Sequence, residues 1–189
     1  MKRIILASKS PRRRELLSAL TDKFEVITRE VDETLPDGID IKSGTELLAV
    51  RKGRAVADEY PSAIVISSDT LVELDGLALG KPKDEDDAHR MLKSLSGRAH
   101  NVHTGVAVHC NGRVYSGVAT SSVIFKELTD EQIDGYIATG EPMDKAGSYG
   151  IQGRAGAFVD RYIGDFDTIV GLSMRLLGEL IDKAGGLDD

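Results

Sequence analysis

Apolar positions along this chain follow two rhythms. Short runs rich in β-branched residues lie near residues 3–7, 24–28, 63–68, 71–74, 77–79, 101–109, 113–125 and 157–162, and these read as strands. Between them, residues of about 11–20, 44–59, 84–95, 130–138 and 170–184 place apolar side chains three or four apart, the spacing of helices with one buried face. Local signals agree. Asp84 stands where it would cap the third helix, whose Ala88, Met91, Leu92 and Leu95 form one face, and Thr129 with Gln132 spells a capping box for the fourth. Asn111-Gly112 is a strong hairpin signal between the two longest strand runs. Strands and helices alternate in the first half, and the long hairpin follows. This order predicts one α/β domain over residues 1–189: a mixed sheet flanked by helices, in two lobes, one largely antiparallel, with a central cleft as the natural place for a ligand.

Composition narrows the classes. The net charge of −7 and the lack of an aromatic cluster for stacking bases argue against a nucleic-acid partner, and no apolar run is long enough to span a membrane. The single cysteine, Cys110, excludes an intramolecular disulfide and a cysteine-based zinc site and fits a reducing, cytoplasmic setting. Charge is unevenly spread, however. Residues 1–14 hold six basic side chains and no acid, while the remaining 18 basic and 31 acidic residues leave −13 elsewhere.

That basic segment contains Leu6-Ala7-Ser8-Lys9-Ser10-Pro11-Arg12-Arg13-Arg14, at the passage from an apolar strand to a helix. Ser10 is placed as N-cap and Pro11 as first helical residue, where its missing N–H costs nothing. The amides of Arg12 and Arg13 then lie at the positive end of the helix dipole without intrahelical acceptors of their own, so the turn reads as an anion site, with a solvated basic turn as the plainer alternative.

Three other stretches carry chemistry. The run Ala63–Ser67 reads as a buried strand ending at Ser68-Asp69-Thr70, and a carboxylate at the end of such a strand commonly faces the ligand crevice, which makes Asp69 the first candidate for catalysis. By itself it would be an ordinary turn aspartate. Lys81 is held between Gly80 and Pro82, and Lys52 lies inside the second helix beside Arg51 and Arg54. Either lysine alone is a common surface charge. Basic groups converging on one carboxylate would instead describe a polyphosphate site with a hydrolytic acid or metal ligand. The segment from Gly140 to Gly156 is dense in glycine, matches neither a Walker loop nor a dinucleotide fingerprint, and includes Gln152, whose amide can both donate and accept to a base edge. His100 and His103 would point to opposite faces of a strand, which disfavours a histidine metal cluster.

Taken in order, Ala7-Ser8-Lys9-Ser10-Pro11-Arg12-Arg13, Val31-Asp32-Glu33, Ser68-Asp69-Thr70, Gly80-Lys81-Pro82, Ser96-Gly97-Arg98 with Thr104-Gly105-Val106, and Asp144-Lys145-Ala146-Gly147 leading to Gly150-Ile151-Gln152-Gly153 resemble the Maf, or septum-formation-inhibitor, nucleotide pyrophosphatases. The resemblance implies a fold like that of the inosine-triphosphate pyrophosphatases (Maf/Ham1) and hydrolysis of a nucleoside triphosphate to monophosphate and pyrophosphate, with a divalent cation, Mg²⁺ or Mn²⁺, as cofactor. It implies Asp69 as proton acceptor and Arg12, Thr70 and Gln152 as residues of substrate choice. Arg12 with Gln152 resembles the branch that prefers dTTP and UTP; the branch acting on 7-methyl-GTP places a bulky aromatic at position 12. Joined to the residue-level reading, this gives Asp69 and Glu33 as metal ligands and acids, Ser8, Arg13, Lys52 and Lys81 as triphosphate holders, with Lys81 assisting catalysis. Alternatives are a pyrophosphatase for CTP or modified nucleotides, or a non-catalytic nucleotide-sensing regulator of division. The family often forms homodimers, and no sequence feature demands one. Two departures stand out: Gly53 replaces the alanine usual after the helix lysine, and Ser173 the proline usual after Gly171-Leu172.

Overall fold

The computed structural model of the protein describes residues 2–187. In chain order the elements are β1 (Ile4–Leu6), α1 (Pro11–Ser18), β2 (Glu25–Val26), α2 (Ile41–Ala57), β3 (Ile64–Leu74), β4 (Leu77–Leu79), α3 (Glu85–Leu95), β5 (Ala99–Cys110), β6 (Arg113–Phe125), α4 (Asp130–Ile137), β7 (Val159–Ile163), α5 (Phe166–Val170) and α6 (Met174–Lys183), with three short 3₁₀ turns between α4 and β7. The strands form one sheet in the order β2-β1-β3-β5-β6-β7, and β4 pairs with β3. β1 is parallel to β2 and β3, whereas β3–β4 and β6–β7 are antiparallel, which is the mixed α/β sheet expected.

The chain divides into two compact units. The first takes the described residues up to Asp69, Thr104–Ala119 and those from Gly171 onward. Within it β1 is buried on both faces, which is why Ile4-Ile5-Leu6 is apolar without alternation. Ile4 and Leu6 join Ile64, Ile66, Val106 and Val108 under Leu17 of α1 and Leu177, Leu180 and Ile181 of α6. Ile5 and Ala7 turn the other way, to Val65 and Val56 of α2. The second unit takes Thr70–His103 and Thr120–Val170. There Ala88, Met91, Leu92 and Leu95 of α3 and Ile133, Tyr136 and Ile137 of α4 pack with Val72, Leu74, Val102, Val123 and Phe125. No helix among the described residues is long and apolar enough to cross a membrane.

Three expectations need correction. The runs at 63–68 and 71–74 are one strand of 11 residues, so Asp69 lies in mid-strand and not at a strand end. The strand continues because Val72–Leu74 pair with β4 through a tight turn at Asp75 and Gly76, both with positive φ. The helix expected over 170–184 begins only at Met174, because Gly171, with φ 123°, separates it from the short helix α5, which ends at Val170. The second helix begins three residues before position 44, at Ile41, because the Asp40 side chain caps it by accepting from the Ser43 amide.

Both departures from the family pattern have local causes. Ser173 caps α6, its hydroxyl accepting from the Leu176 amide. At Gly53 an added Cβ would overlap Ser67 Oγ and lie 2.6 Å from Nε2 of His109, so the absent methyl makes room for a buried histidine between α2 and the sheet.

Candidate active site

The site is built from α2 and β3. Ser67 Oγ donates to the carbonyl of Ala49 at 2.7 Å and ties the helix to the strand. Lys52, three residues along α2, and Asp69, two residues along β3, are therefore brought face to face by the two periodicities. Lys52 Nζ donates to Asp69 Oδ1 at 2.5 Å. It also lies 2.8 Å from Glu33 Oε1. The Asp69 side chain is only 11% exposed and that of Lys52 21%, while Glu33 is 61% exposed, so the arrangement is an inner acid, a half-buried lysine and an outer acid.

Glu33 lies on an irregular segment, and its neighbour Arg51 explains why it is held there. Arg51 Nη1 donates to the carbonyls of Asp32 and Thr34 at 3.1 and 2.6 Å, and the Asp32 carboxylate accepts the Thr34 amide at 2.8 Å. That local turn holds Asp32 below the ordinary carboxylate range. Sequence reasoning treated Arg51 only as a flanking charge.

The turn from β1 to α1 is joined to the strand just before Asp69 through Arg13 and Ser68. Ser10 caps α1 by accepting from the Arg13 amide, and Pro11 opens the helix, as expected. Buried Ser8 accepts from the Ser10 amide at 3.2 Å and from Arg13 Nη1 at 3.4 Å. Arg13 also donates from Nη1 to the Ser68 carbonyl at 2.8 Å and from Nε to the Gly171 carbonyl at 2.7 Å, where Ser68 Oγ donates as well, at 2.8 Å. Burial pushes the Arg13 guanidinium below its ordinary value, and the nearby Asp69 draws it back up. Arg13 thus braces the turn, the strand residue before Asp69 and the α5–α6 junction. Arg12 is half-buried and Arg14 exposed.

Ser8, Arg13, Glu33, Lys52 and Asp69 accordingly gather in one unit. Thr70 follows Asp69 on β3 and is half-buried, its side chain on the opposite side of the strand. Thr70, Lys81 and Gln152 belong to the other unit. Lys81 is exposed between Gly80 and buried Pro82, in a turn whose Gly80 carbonyl accepts the Gly147 amide at 3.0 Å. Gln152 is exposed at the corner of the turn from Gly150 to Gly153.

The chemistry of this arrangement is acidic and oxygen-rich. Among the described residues no group of three or more His, Cys, Asp or Glu is placed to hold a metal by itself. Asp69 and Glu33 are both bonded to the Lys52 ammonium, and two such carboxylates are oxygen donors of the kind Mg²⁺ or Mn²⁺ takes, its remaining positions being filled by substrate phosphate oxygens and water.

The model of the family described as Maf-like protein matches residues 3–184. The chain belongs to this family. A relative from Geobacillus sp. (strain WCH70), named dTTP/UTP pyrophosphatase, is 48% identical over 185 residues, 98% of this chain and 100% of its own. Relatives of the same name from Thermococcus gammatolerans and Alkaliphilus metalliredigens are 48% identical over 181 residues and 45% over 186, the first covering 94% of both chains, the second 97% of this chain and 96% of its own. Among solved structures, the Staphylococcus aureus Ham1 protein matches with TM-score 0.53 at 18% identity, over 95% of this Maf-like chain and 91% of its own, a likeness of fold.

Proposed function

We propose that this protein hydrolyses dTTP and UTP to the nucleoside monophosphate and pyrophosphate. The observation that carries the reading is the Asp69–Lys52–Glu33 constellation beside the α1 N-terminus, in a chain 48% identical to a relative named dTTP/UTP pyrophosphatase.

In this mechanism a water oxygen attacks the α-phosphorus, the bond from that phosphorus to the α–β bridging oxygen breaks, and pyrophosphate leaves with the bond pair. Asp69 takes the water's proton as general base. Lys52 holds the Asp69 carboxylate in line through its hydrogen bond and offers positive charge to phosphate oxygens. Asp69 and Glu33 would hold a divalent cation, which neutralises charge on the phosphates when bound. The Arg12 amide, Ser8 and the Arg12 side chain serve the triphosphate and nucleoside, and Arg13 keeps their turn in place. Lys81 stabilises the leaving pyrophosphate, and Thr70 and Gln152 act in the choice of nucleotide.

The test is a panel of dTTP, UTP, CTP and 7-methyl-GTP with Mg²⁺ or Mn²⁺, scored for pyrophosphate against orthophosphate, and repeated with chelator. Pyrophosphate from dTTP and UTP, lost with chelator and restored by the cation, is expected. Orthophosphate as the direct product would overturn α–β cleavage, and tight binding without turnover would favour a sensor.

A further inference from the structure

Gln152 owes its place to two residues that sequence reasoning did not single out. The turn from Gly150 to Gly153 closes with the Gly153 amide donating to the Gly150 carbonyl at 3.0 Å, which leaves Ile151 and Gln152 as its corners. Ile151 packs against the core of the second unit, and Gln152 points outward.

Both ends of the turn are tied to one side-chain pair. Tyr136, on α4 and 3% exposed, accepts the Gly150 amide at 3.3 Å and donates its hydroxyl to Glu141 Oε1 at 3.1 Å. Glu141 Oε2 accepts the Arg154 amide at 3.3 Å. The carboxylate lies so close beneath Gly153 that any Cβ there would overlap it, which explains the glycine. Lys145 crosses beneath Gly150 and donates to the Glu141 carbonyl at 2.5 Å, and Thr139 Oγ1 accepts the Glu141 amide at 3.2 Å, so Glu141 itself is fixed from behind. Burial, then the neighbouring Glu141 charge, raises the Tyr136 phenol above its ordinary value and keeps the donor protonated.

We infer that Tyr136 and Glu141 are positioning residues for nucleobase selection: they lock the backbone on both sides of Gln152 so that its amide meets a pyrimidine edge in one orientation. The inference rests on the proposed pyrophosphatase reading and on Gln152 acting in nucleotide choice. A mobile turn would still allow chemistry, but the amide would lose its advantage for one base over another, because a donor–acceptor pair discriminates only when its direction is set.

The experiment compares wild type with Tyr136→Phe, Glu141→Ala, Glu141→Gln and Gln152→Ala, and with Gln152→Ala combined with each of the first two, using dTTP and dCTP. Tyr136→Phe and Glu141→Ala should raise KM for dTTP about tenfold with kcat within about threefold, and lower the dTTP-over-dCTP preference to the level of Gln152→Ala. In the Gln152→Ala background neither should lower that preference further, since coupled residues are not additive. Glu141→Gln, which retains an acceptor for the Arg154 amide, should recover most of the preference. Amide hydrogen exchange at Gly150 and Arg154 should quicken in Glu141→Ala while the core amides of α3 stay protected, which separates a freed turn from a misfolded chain. A preference unchanged in Tyr136→Phe and Glu141→Ala, or additive losses, would overturn the inference with the pyrophosphatase reading intact. A wild type that releases no pyrophosphate from dTTP or UTP would remove both.

Discussion

Lys52 meets Asp69 across the seam between a helix and a mid-strand position, Nζ to Oδ1 at 2.5 Å, and the same Nζ reaches Glu33 at 2.8 Å. One ammonium therefore serves two acids that are 36 residues apart in sequence. A hydrogen bond to a charged partner is worth about 1.5–3 kcal/mol, so Lys52→Met is expected to lower kcat/KM for dTTP about 10–100-fold. Steady-state kinetics on a variant with unchanged thermal unfolding is the check, and full activity would dismiss the lysine from the site.

Replacing Asp69 by asparagine keeps the shape and a hydrogen-bond acceptor for Lys52 and removes the base. Loss of a positioned general base costs about 10²–10⁴ in rate. The expected outcome is a kcat lower by at least about 10²-fold, with dTTP binding by calorimetry within a few-fold of wild type.

Gly53 sets two effects against each other. In an exposed helix, glycine to alanine would stabilise by about 1 kcal/mol. Here the added methyl meets His109 and Ser67, and overpacking of this kind costs about 1–3 kcal/mol. Gly53→Ala should therefore destabilise the protein, by urea midpoint, and His109→Ala should relieve part of that loss.

Ser173 offers a cleaner test of a local contribution. Its hydroxyl caps α6, and loss of such a cap costs about 1 kcal/mol, against roughly 2 kcal/mol for each buried Leu177, Leu180 and Ile181 that docks the helix. Ser173→Ala should lower Tm by a few degrees without unfolding α6, and Ser173→Gly should lower it less.

Acid should loosen the second unit. His100 is buried against Phe125 and Tyr149, its Nε2 2.7 Å from the Tyr149 hydroxyl, and burial lowers it to about 4. A base whose folded pKa lies below its unfolded value near 6.5 binds fewer protons when folded, so its contribution is complete above about pH 6.5 and is lost as pH falls toward 4. The difference amounts to about 3 kcal/mol. Denaturant unfolding between pH 7 and 4 should display this slope, and His100→Gln should flatten it.

Much of the framework around the candidate site is legible in the sequence. Ser10-Pro11 announces a helix start because a cap and a φ-locked residue act within one turn, and Thr129 with Gln132 announces another for the same reason. The strands and most helices followed from periodicity, which reports which faces are buried. The misplaced boundaries lay where periodicity is silent: at Asp69, a polar residue inside a strand, and at Gly171, whose positive φ delays the last helix to Met174.

What sequence alone determined is what local chemistry dictates: the mixed α/β class, the capped helix starts and the basic turn. Tertiary structure decided how they are used. It joined Lys52 to both Glu33 and Asp69, turned Arg13 into a brace on Ser68 and Gly171, and set Tyr136 and Glu141 under the turn that carries Gln152. These pairings depend on which strand and helix surfaces come into contact, and side chains so far apart along the chain carry no periodic signal of one another.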